Sequence, residues 1–377
     1  MPVMRAPLVT RIAAALCGSL AILAVSAANA ACVQDAALKG VNLAGAEFNG
    51  RKVPGVLNKD YVYPKRAEID YFAAFGANVI RLPFRWERIQ PSLSGPLDPD
   101  ELRRIEQTVA LARERGMCVI LDVHNYGAYH DKPIGSREVP VQAFIGLWTK
   151  LAATFGDATS VAFGLMNEPF RLPIAQWAAT AQQTVDAIRA SGAEHLILVS
   201  GGRWSGVHEW KKLKGGTSNA NAFAYFKDPM KRTWIEVHQY ADPGYSGTGR
   251  ECVRPARFAQ MFERLTDWAK ANDQRLFLGE FGTPSNPSCL VALDAILAQM
   301  KDETVWRGWA YWAAGSWLGT YPLSTSPRNG RDAPQMGILR KYFRNPGLSA
   351  CATGSTAWRS GAARLAHLHA GDLEERR

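Results

Sequence analysis

The sequence predicts an α/β fold, a closed (β/α)8 TIM barrel that forms a single domain. Eight short apolar runs recur along the 377 residues, and a helical pattern separates each run from the next. The runs are continuous rather than alternating, which is typical of parallel strands covered on both faces. A doubly wound open sheet is the alternative, but it usually carries a G-x-G-x-x-G loop after its first strand, and that motif does not occur here.

The eight runs give the expected positions of the strands. They cover residues 38–44, 77–83, 117–123, 161–167, 195–200, 233–238, 275–280 and 307–312. Two of the intervening helices have clear boundaries: Asp98 is expected to cap a helix that starts at Pro99 and stops at Gly116, and another runs from Pro173 to Gly192. The apolar face of the first of these helices would consist of Leu102, Ile105, Val109 and Ala112.

The two ends of the chain are expected to lie outside the barrel domain, which we assign to residues 31–345. Arg5 and Arg11 flank the start of an apolar run that ends in small residues, as in a secretory signal peptide (residues 1–30) cut after Ala30. Residues 346–377 lack an apolar stripe and are predicted to be a poorly ordered extension. No later run reaches the roughly 18 apolar residues of a membrane span, so we expect a secreted protein, extracellular or periplasmic, with no membrane partner.

The charge of the chain points to no nucleic-acid partner. The formal charge of +10 falls to +8 once Arg5 and Arg11 leave with the signal peptide. The densest basic region, residues 209–232, also contains Glu209 and Asp228 and matches no nucleic-acid motif, so it is interpreted as a solvated face. A monomer is expected.

Five cysteines remain after residue 30, and an odd number in an exported protein leaves one unpaired. Cys118 lies in an apolar run and is interpreted as a small buried core residue. Cys351 is hypothesised to pair with Cys32, because a closed barrel brings its first and last elements together.

Polar and aromatic residues end most of the predicted strands, and in a barrel these ends form the face that carries the active site. The residues at these ends are Arg81, Asp122, His124, Asn125, Asn167, Glu168, His238, Tyr240, Glu280 and Trp312. Taken one at a time, each has an ordinary structural interpretation, such as a cap, an ion pair or a core aromatic. Taken together on one face, they favour a catalytic site.

Glu168 and Glu280 end the fourth and seventh strands, so both can face one central cleft. Paired carboxylates that flank a bond are what glycoside hydrolysis requires: one acid protonates the leaving oxygen, and the other attacks the anomeric carbon or activates water. Arg81 could hold one carboxylate ionised while its partner stays protonated. Flat apolar faces for sugar rings are offered by Trp204, Trp312, Trp317 and Tyr321.

Competing chemistries lack their local motifs. The sequence has no G-x-S-x-G elbow, no H-E-x-x-H and no P-loop. His124 and His130 lie near Asp122 and Asp131, which could suggest a metal cluster. Hydrogen-bonding roles are more economical, because a metal-dependent barrel would normally place a His pair on its first strand, where KGVNLAG has none. We therefore predict no metal and no cofactor.

At these residues the sequence resembles glycoside hydrolase family 5, the cellulase family. The resemblance extends through GVNLAGAEFNG, RLPFRWERIQP, ILDVHNY, FGLMNEP, EVHQY, LGEFGTP, GWAYWAAGSW and PQMGIL. The family's pattern of eight site residues is filled by Arg81, His124, Asn167, Glu168, His238, Tyr240, Glu280 and Trp312. The resemblance implies that residues 31–345 are a catalytic domain.

The roles that the resemblance implies are those of a retaining double displacement. Glu168 would be the acid/base, Glu280 the nucleophile, and Asn167 the ligand of the sugar 2-hydroxyl. Arg81 and Tyr240 would contact Glu280. Supporting roles in the cleft are implied for His124, His238 and Trp312.

The phrases PGVLNKDYVYP, RWERIQP, PGYSGTG and WAAGSW look most like the bacterial and fungal endo-β-1,4-glucanases of the family. Members of that group often bridge the loops after strands six and seven, so the resemblance implies a Cys252–Cys289 disulfide. The family's loop after strand five often carries Asn where this chain has Arg203. The expected partner is a β-linked glucan, with a mannanase, another β-glucan or xyloglucan hydrolase, or a non-catalytic carbohydrate-binding barrel as alternatives.

Overall fold

Eight parallel strands form the closed barrel that the sequence predicts. The computed structural model describes residues 31–33 and 36–343. The strands follow one another around the barrel in chain order, and β8 pairs with β1 to close it. Their bounds are β1 Leu38–Leu43, β2 Val79–Phe84, β3 Cys118–Val123, β4 Val161–Gly164, β5 Ile197–Ser200, β6 Thr233–His238, β7 Leu276–Glu280 and β8 Trp306–Ala314.

Helices surround the barrel, and the one between β5 and β6 is very short. Their bounds are α1 Arg66–Ala74, α2 Trp86–Ile89, α3 Pro99–Arg113, α4 Val141–Thr154, α5 Ile174–Ala190, α6 Asn219–Ala222, α7 Ala256–Ala271, α8 Pro287–Leu297 and α9 Pro334–Phe343. A small hairpin pairs Ala128–Tyr129 with Lys132–Pro133, and single 3-10 turns cover Ala31–Val33 and Val207–Glu209. Between β5 and β6 the α-helix shrinks to the four residues of α6, so the alternation expected there is only partly realised.

The helix boundaries follow from local chemistry, as α3 illustrates. The Asp98 carboxylate accepts hydrogen bonds from the backbone N–H groups of Asp100 and Glu101, and Pro99 occupies the first helical position, where its missing N–H costs nothing. Ile105 and Ala112 are buried against the barrel. The predicted start of this helix is confirmed, and its last helical residue, Arg113, lies just before Gly116.

The barrel interior is layered. Leu38, Val79, Cys118, Trp234 and Phe277 belong to an apolar cluster at the amino ends of the strands. Successive side chains of a strand point to opposite faces, so residues two further along face the same interior. Along the strands the interior-facing side chains are therefore apolar near the amino ends and become polar near the carboxyl ends.

Both disulfides of the described residues tie loops to the barrel. Cys252 bonds to Cys289, which links the segment after β6 to the first turn of α8 and confirms the pairing that the resemblance implied. Cys32 bonds to Cys118, so the hypothesis that Cys32 pairs with Cys351 was wrong. Cys118 is buried in the core as predicted, but its sulfur is part of this disulfide. The segment Ala31–Val33 lies against the start of β3, and the Cα atoms of its Cys32 and of Cys118 are 4.9 Å apart, within the range that a disulfide spans.

The predicted signal peptide, the extension over residues 346–377 and Cys351 lie outside the described residues. Within residues 31–33 and 36–343, no helix is both long enough and apolar enough to cross a membrane.

Candidate active site

A cleft of about 780 Å³ opens at the carboxyl ends of the strands. Of the eight residues that fill the family pattern and the ninth predicted site residue, Trp204, seven line this cleft, namely His124, Glu168, Trp204, His238, Tyr240, Glu280 and Trp312. The other two, Arg81 and Asn167, are buried and contact the residues that line the cleft. The structure therefore brings all nine together.

Glu280 ends β7 and is held by two donors. Arg81 Nη1 lies 2.9 Å from its Oε1, and the Tyr240 hydroxyl donates to its Oε2 at 2.8 Å. A β-bulge between β6 and β7 shifts the register just before Glu280, so that Val237 faces Leu278 but His238 faces Glu280. Because of this shift, Glu280 contacts Arg81 although Leu278, two residues earlier on the same strand, packs in the larger apolar cluster.

Glu168 lies where the chain has already left its strand. The prediction placed residues 161–167 in β4, but the strand ends at Gly164, and Glu168 has the left-handed backbone angle φ of +38°. The carboxylate contacts His238 Nδ1 at 2.8 Å. One carboxyl oxygen of Glu168 lies within 4.8 Å of one of Glu280.

Arg81 is the centre of a buried polar layer below the cleft. Its side chain has no exposed surface, and its two terminal nitrogens contact five partners between them. The partners are Asn42 Oδ1 at 2.8 Å, Asn167 Oδ1 at 2.8 Å, Asp122 Oδ1 at 3.1 Å, Glu236 Oε1 at 2.9 Å and Glu280 Oε1 at 2.9 Å. An arginine so surrounded keeps its charge, and its pKa lies above the usual value because the nearby carboxylates outweigh burial.

Sequence reasoning missed two members of this layer, Glu236 and Asn42. Both lie inside runs that were interpreted as apolar strands. The period of two was the available signal: Glu236 precedes His238 by two residues, so the two side chains share the barrel interior. Asn42 donates to the backbone carbonyl of Gly279 at 2.9 Å, which ties β1 to β7 below Glu280.

The surroundings raise the pKa of both Glu168 and His238. Burial raises the pKa of Glu168, against the hydrogen bond from His238 and with the help of the Glu280 charge. Burial alone would lower the pKa of His238, but Glu280 and the hydrogen bonds to Glu168 and Glu236 outweigh it and raise that pKa to about 10. The surroundings therefore favour the protonated form of Glu168 and the imidazolium form of His238.

His124 is the neutral counterpart on the other side of Arg81. Burial lowers its pKa to about 3. Its Nδ1 faces Asp122 Oδ2 at 2.8 Å, and its Nε2 faces Asn167 Nδ2 at 3.2 Å, so the proton lies on Nδ1 and Nε2 accepts from the amide. The ring stacks on Trp312 with centroids 5.5 Å apart.

Two tryptophan side chains, Trp312 and Trp204, line the cleft. The peptide bond after Trp312 is cis. Trp204 is 44% exposed and stacks on Phe170, which sequence reasoning missed, with ring centroids 4.2 Å apart. Phe170 follows Glu168 by two residues, so this pair forms an aromatic surface beside that carboxyl group.

One group among the described residues has the spacing of a metal site: Glu168, His238 and Glu280. Its histidine is a poor ligand, because Nδ1 faces Glu168 and Nε2 faces Glu236 Oε1 at 3.1 Å. Metal ligation needs a nitrogen lone pair, whereas both nitrogens here lie where protons are shared with carboxylates. The group is better suited to acid–base chemistry.

Comparison with known proteins agrees with this geometry. Endo-β-1,4-glucanase B of Aspergillus niger is 33% identical over 307 residues, which are 81% of this chain and 89% of that protein. The structure of XacCel5A in complex with cellopentaose is 46% identical, with a TM-score of 0.80, and covers 82% of this chain and 100% of the other. Pseudomonas stutzeri endoglucanase Cel5A in complex with cellobiose is 38% identical, with a TM-score of 0.76 and coverage of 82% and 92%.

A family model supplies the assignment. The model described as cellulase (glycosyl hydrolase family 5) matches residues 35–315, a range that contains all eight strands and both carboxylates of the cleft. This chain therefore belongs to glycosyl hydrolase family 5.

Proposed function

We propose that the protein is a secreted endo-β-1,4-glucanase that hydrolyses internal bonds of a β-linked glucan with net retention. The observation that carries this proposal is the pair of carboxyl groups, whose closest oxygens lie within 4.8 Å across the cleft in different surroundings. Retaining enzymes separate their carboxyl groups by about 5–5.5 Å, and inverting enzymes by about 6.5–9.5 Å. The short separation supports retention.

In the first step, Glu280 Oε attacks the anomeric carbon and the bond from that carbon to the leaving oxygen breaks. Glu168 donates its proton to the leaving oxygen, so the outgoing glucan departs as an alcohol. In the second step, Glu168 takes a proton from water, and the water oxygen displaces Glu280 from the anomeric carbon. Each carboxyl group returns to its starting state.

The contacts of the two carboxyl groups support these roles. Arg81 and Tyr240 donate to Glu280, which stabilises its charged form, while burial raises the pKa of Glu168 and so favours its protonated form. Asn167, held by Arg81 and facing His124, is proposed to bind the sugar 2-hydroxyl. Aromatic surfaces at Trp312 and Trp204 are proposed to support sugar rings.

The choice of a β-1,4-glucan rests on the relatives, which are named endo-β-1,4-glucanases, and on the solved complexes with cellopentaose and cellobiose. Export is supported by the two disulfides, since disulfides persist in oxidising compartments, and by the signal-like start of the sequence. We assign residues 31–345 as the catalytic domain and residues 346–377 as an extension.

The test measures reducing ends released from carboxymethylcellulose, mannan and xylan. The wild type should act on the glucan, and Glu280→Gln should lose at least about a thousandfold in rate, because the nucleophile is gone. The exposed Glu263→Gln on α7 is the matched control and should keep the wild-type rate.

Proton NMR of the first product then reports stereochemistry, and the β-anomer is expected. An α-anomer would contradict retention. If the wild type and Glu280→Gln release equal amounts, or neither releases any, the enzymatic proposal fails in favour of a carbohydrate-binding barrel.

A further inference from the structure

Glu236 lies on β6 directly beneath His238, at the floor of the cleft. Its Oε1 is 3.1 Å from His238 Nε2 and 2.9 Å from Arg81 Nη2, and only 2% of the residue is exposed. Gly279 on the neighbouring strand makes room for it, because a Cβ there would lie 2.1 Å from Glu236 Oε1. The fold therefore builds a specific place for this carboxylate.

Three carboxyl groups surround one imidazole. His238 Nδ1 is 2.8 Å from Glu168 Oε1 and 3.7 Å from Glu280 Oε2, while Nε2 faces Glu236. A neutral imidazole has one N–H, so it could donate to only one side. An imidazolium donates to both, which matches the observed geometry.

The groups that face His238 come from five strands or the loops that follow them. They are Glu168 after β4, Glu236 on β6, Glu280 on β7, Arg81 on β2 and, after or on β3, His124 and Asp122. Burial opposes ionisation of Glu236, yet Arg81 and His238 lower its pKa below the usual value. Burial raises the pKa of Asp122 to about 7, against the effect of Arg81. Of these two carboxyl groups below the cleft, Glu236 is the one whose charged form the surroundings favour.

We propose that Glu236 is a positioning residue that keeps both ring protons on His238, so that a fixed cation lies between the two reacting carboxyl groups. The proposal rests on the retaining reaction proposed above. In the free enzyme the negative charge is on Glu280. In the glycosyl-enzyme Glu280 is an ester and the charge is on Glu168, and His238 contacts both carboxyl groups.

Removal of the Glu236 charge should affect the second step most. In Glu236→Gln the amide oxygen still accepts from Nε2, but a neutral imidazole becomes favoured, with Nδ1 accepting the proton of Glu168. Glu168 then starts the first step protonated, as required. It also keeps a proton in the glycosyl-enzyme, where it must be a base, so deglycosylation slows.

The experiment uses 2,4-dinitrophenyl β-cellobioside, whose leaving group needs no acid, so kcat/KM reports glycosylation and kcat reports deglycosylation. For Glu236→Gln we expect kcat and KM to fall together by about tenfold or more, the effect of roughly one pKa unit, with kcat/KM little changed. Asp122→Asn is the matched control, because Asp122 contacts the same Arg81 nitrogen but touches His124. Asp122→Asn should not lower kcat and KM together.

Nitrogen-15 NMR of His238 gives a second readout that needs no substrate. The wild type should show two protonated ring nitrogens at pH 7, and Glu236→Gln should show one. An unchanged imidazolium in the variant, or an equal loss in kcat and kcat/KM, would overturn the proposal. If the variant does not fold, wild-type His238 losing a ring proton below pH 7 would overturn it, and retention of both to pH 8 would support it.

The two proposals fail separately. A wild type that releases no dinitrophenol contradicts the glucanase assignment, while the NMR comparison still decides whether Glu236 holds the second proton on His238.

Discussion

At the scale of single residues, burial raises the pKa of several carboxyl groups in this protein. Glu168 is one case, and Glu47, in the loop after β1, is another. Its Oε2 accepts from the backbone N–H of Gly45 at 2.7 Å, but its Oε1 has no partner among the described residues. Burial raises the pKa of Glu47 to about 8, against its backbone hydrogen bonds and with help from the charges of Asp122 and Glu280.

This pKa predicts a pH-dependent stability. Between the unfolded value of 4.5 and the folded value of about 8, the unfolded chain is ionised at Glu47 and the folded chain is not, so stability falls as pH rises. The decrease is at most about 1.4 kcal/mol per pH unit. Glu47→Gln does not titrate, and its Tm relative to the wild type should therefore rise from pH 5 to pH 8.

Thermal unfolding followed by circular dichroism at the two pH values measures this difference. The exposed Glu106→Gln on α3 is the control and should show no such trend. A Glu47→Gln difference that stays constant with pH would mean that Glu47 titrates normally in the folded protein.

At the scale of elements, the loop over residues 242–249 holds Tyr240 against Glu280. The Asp242 carboxylate accepts from the backbone N–H groups of Ser246 at 3.0 Å and Gly247 at 2.7 Å, which folds the loop back onto itself. Gly247 has a φ of +73°, and a Cβ there would lie 2.7 Å from the Tyr240 ring. The close approach leaves the Tyr240 ring little freedom on that side.

Gly247→Ala should therefore move the Tyr240 hydroxyl away from Glu280. A hydrogen bond to a charged group is worth about 1.5–3 kcal/mol, so we expect kcat/KM on carboxymethylcellulose to fall by roughly tenfold or more. Gly244→Ala is a matched control in the same loop, because the nearest atom to its Cβ is Asp242 Oδ2 at 3.5 Å. Equal effects of the two substitutions would show that the loop does not act through Tyr240.

At the scale of the whole molecule, the two disulfides lie at opposite ends of the barrel. Cys32–Cys118 closes a separation of 86 residues at the amino end of β3, and Cys252–Cys289 closes 37 residues beside the loop that lines the cleft. A crosslink stabilises mainly by restricting the unfolded chain, typically by 2–4 kcal/mol. The same chemistry at the two ends should have different functional consequences.

The double variant Cys32→Ala/Cys118→Ala should lose about 2–4 kcal/mol of unfolding free energy while keeping its activity at 25 °C, because the cleft lies at the other end of the barrel. Cys252→Ala/Cys289→Ala should lose activity as well, since it frees the segment next to the cleft. Urea unfolding and initial rates measure both. A loss of activity in Cys32→Ala/Cys118→Ala, with none in Cys252→Ala/Cys289→Ala, would contradict these different roles of the two disulfides.

Most of the architecture could be predicted from local sequence patterns. Continuous apolar runs placed the eight strands to within a few residues, and the Asp98–Pro99 start of α3 was readable because a cap acts over one turn. The rule that barrel active sites lie at the carboxyl ends of strands then selected residues that the structure does bring together. Such information is contained in short windows of sequence.

Tertiary structure decided what depends on distance through space. The pairing of Cys32 with Cys118 follows from where Ala31–Val33 packs, which no local pattern encodes. Glu236 became part of the site because Gly279, on the neighbouring strand, leaves space for it beneath His238. The sequence by itself determined the elements and the two carboxylates. The closed barrel decided their surroundings, including the burial that raises the pKa of Glu168, because these depend on neighbours that are distant along the chain.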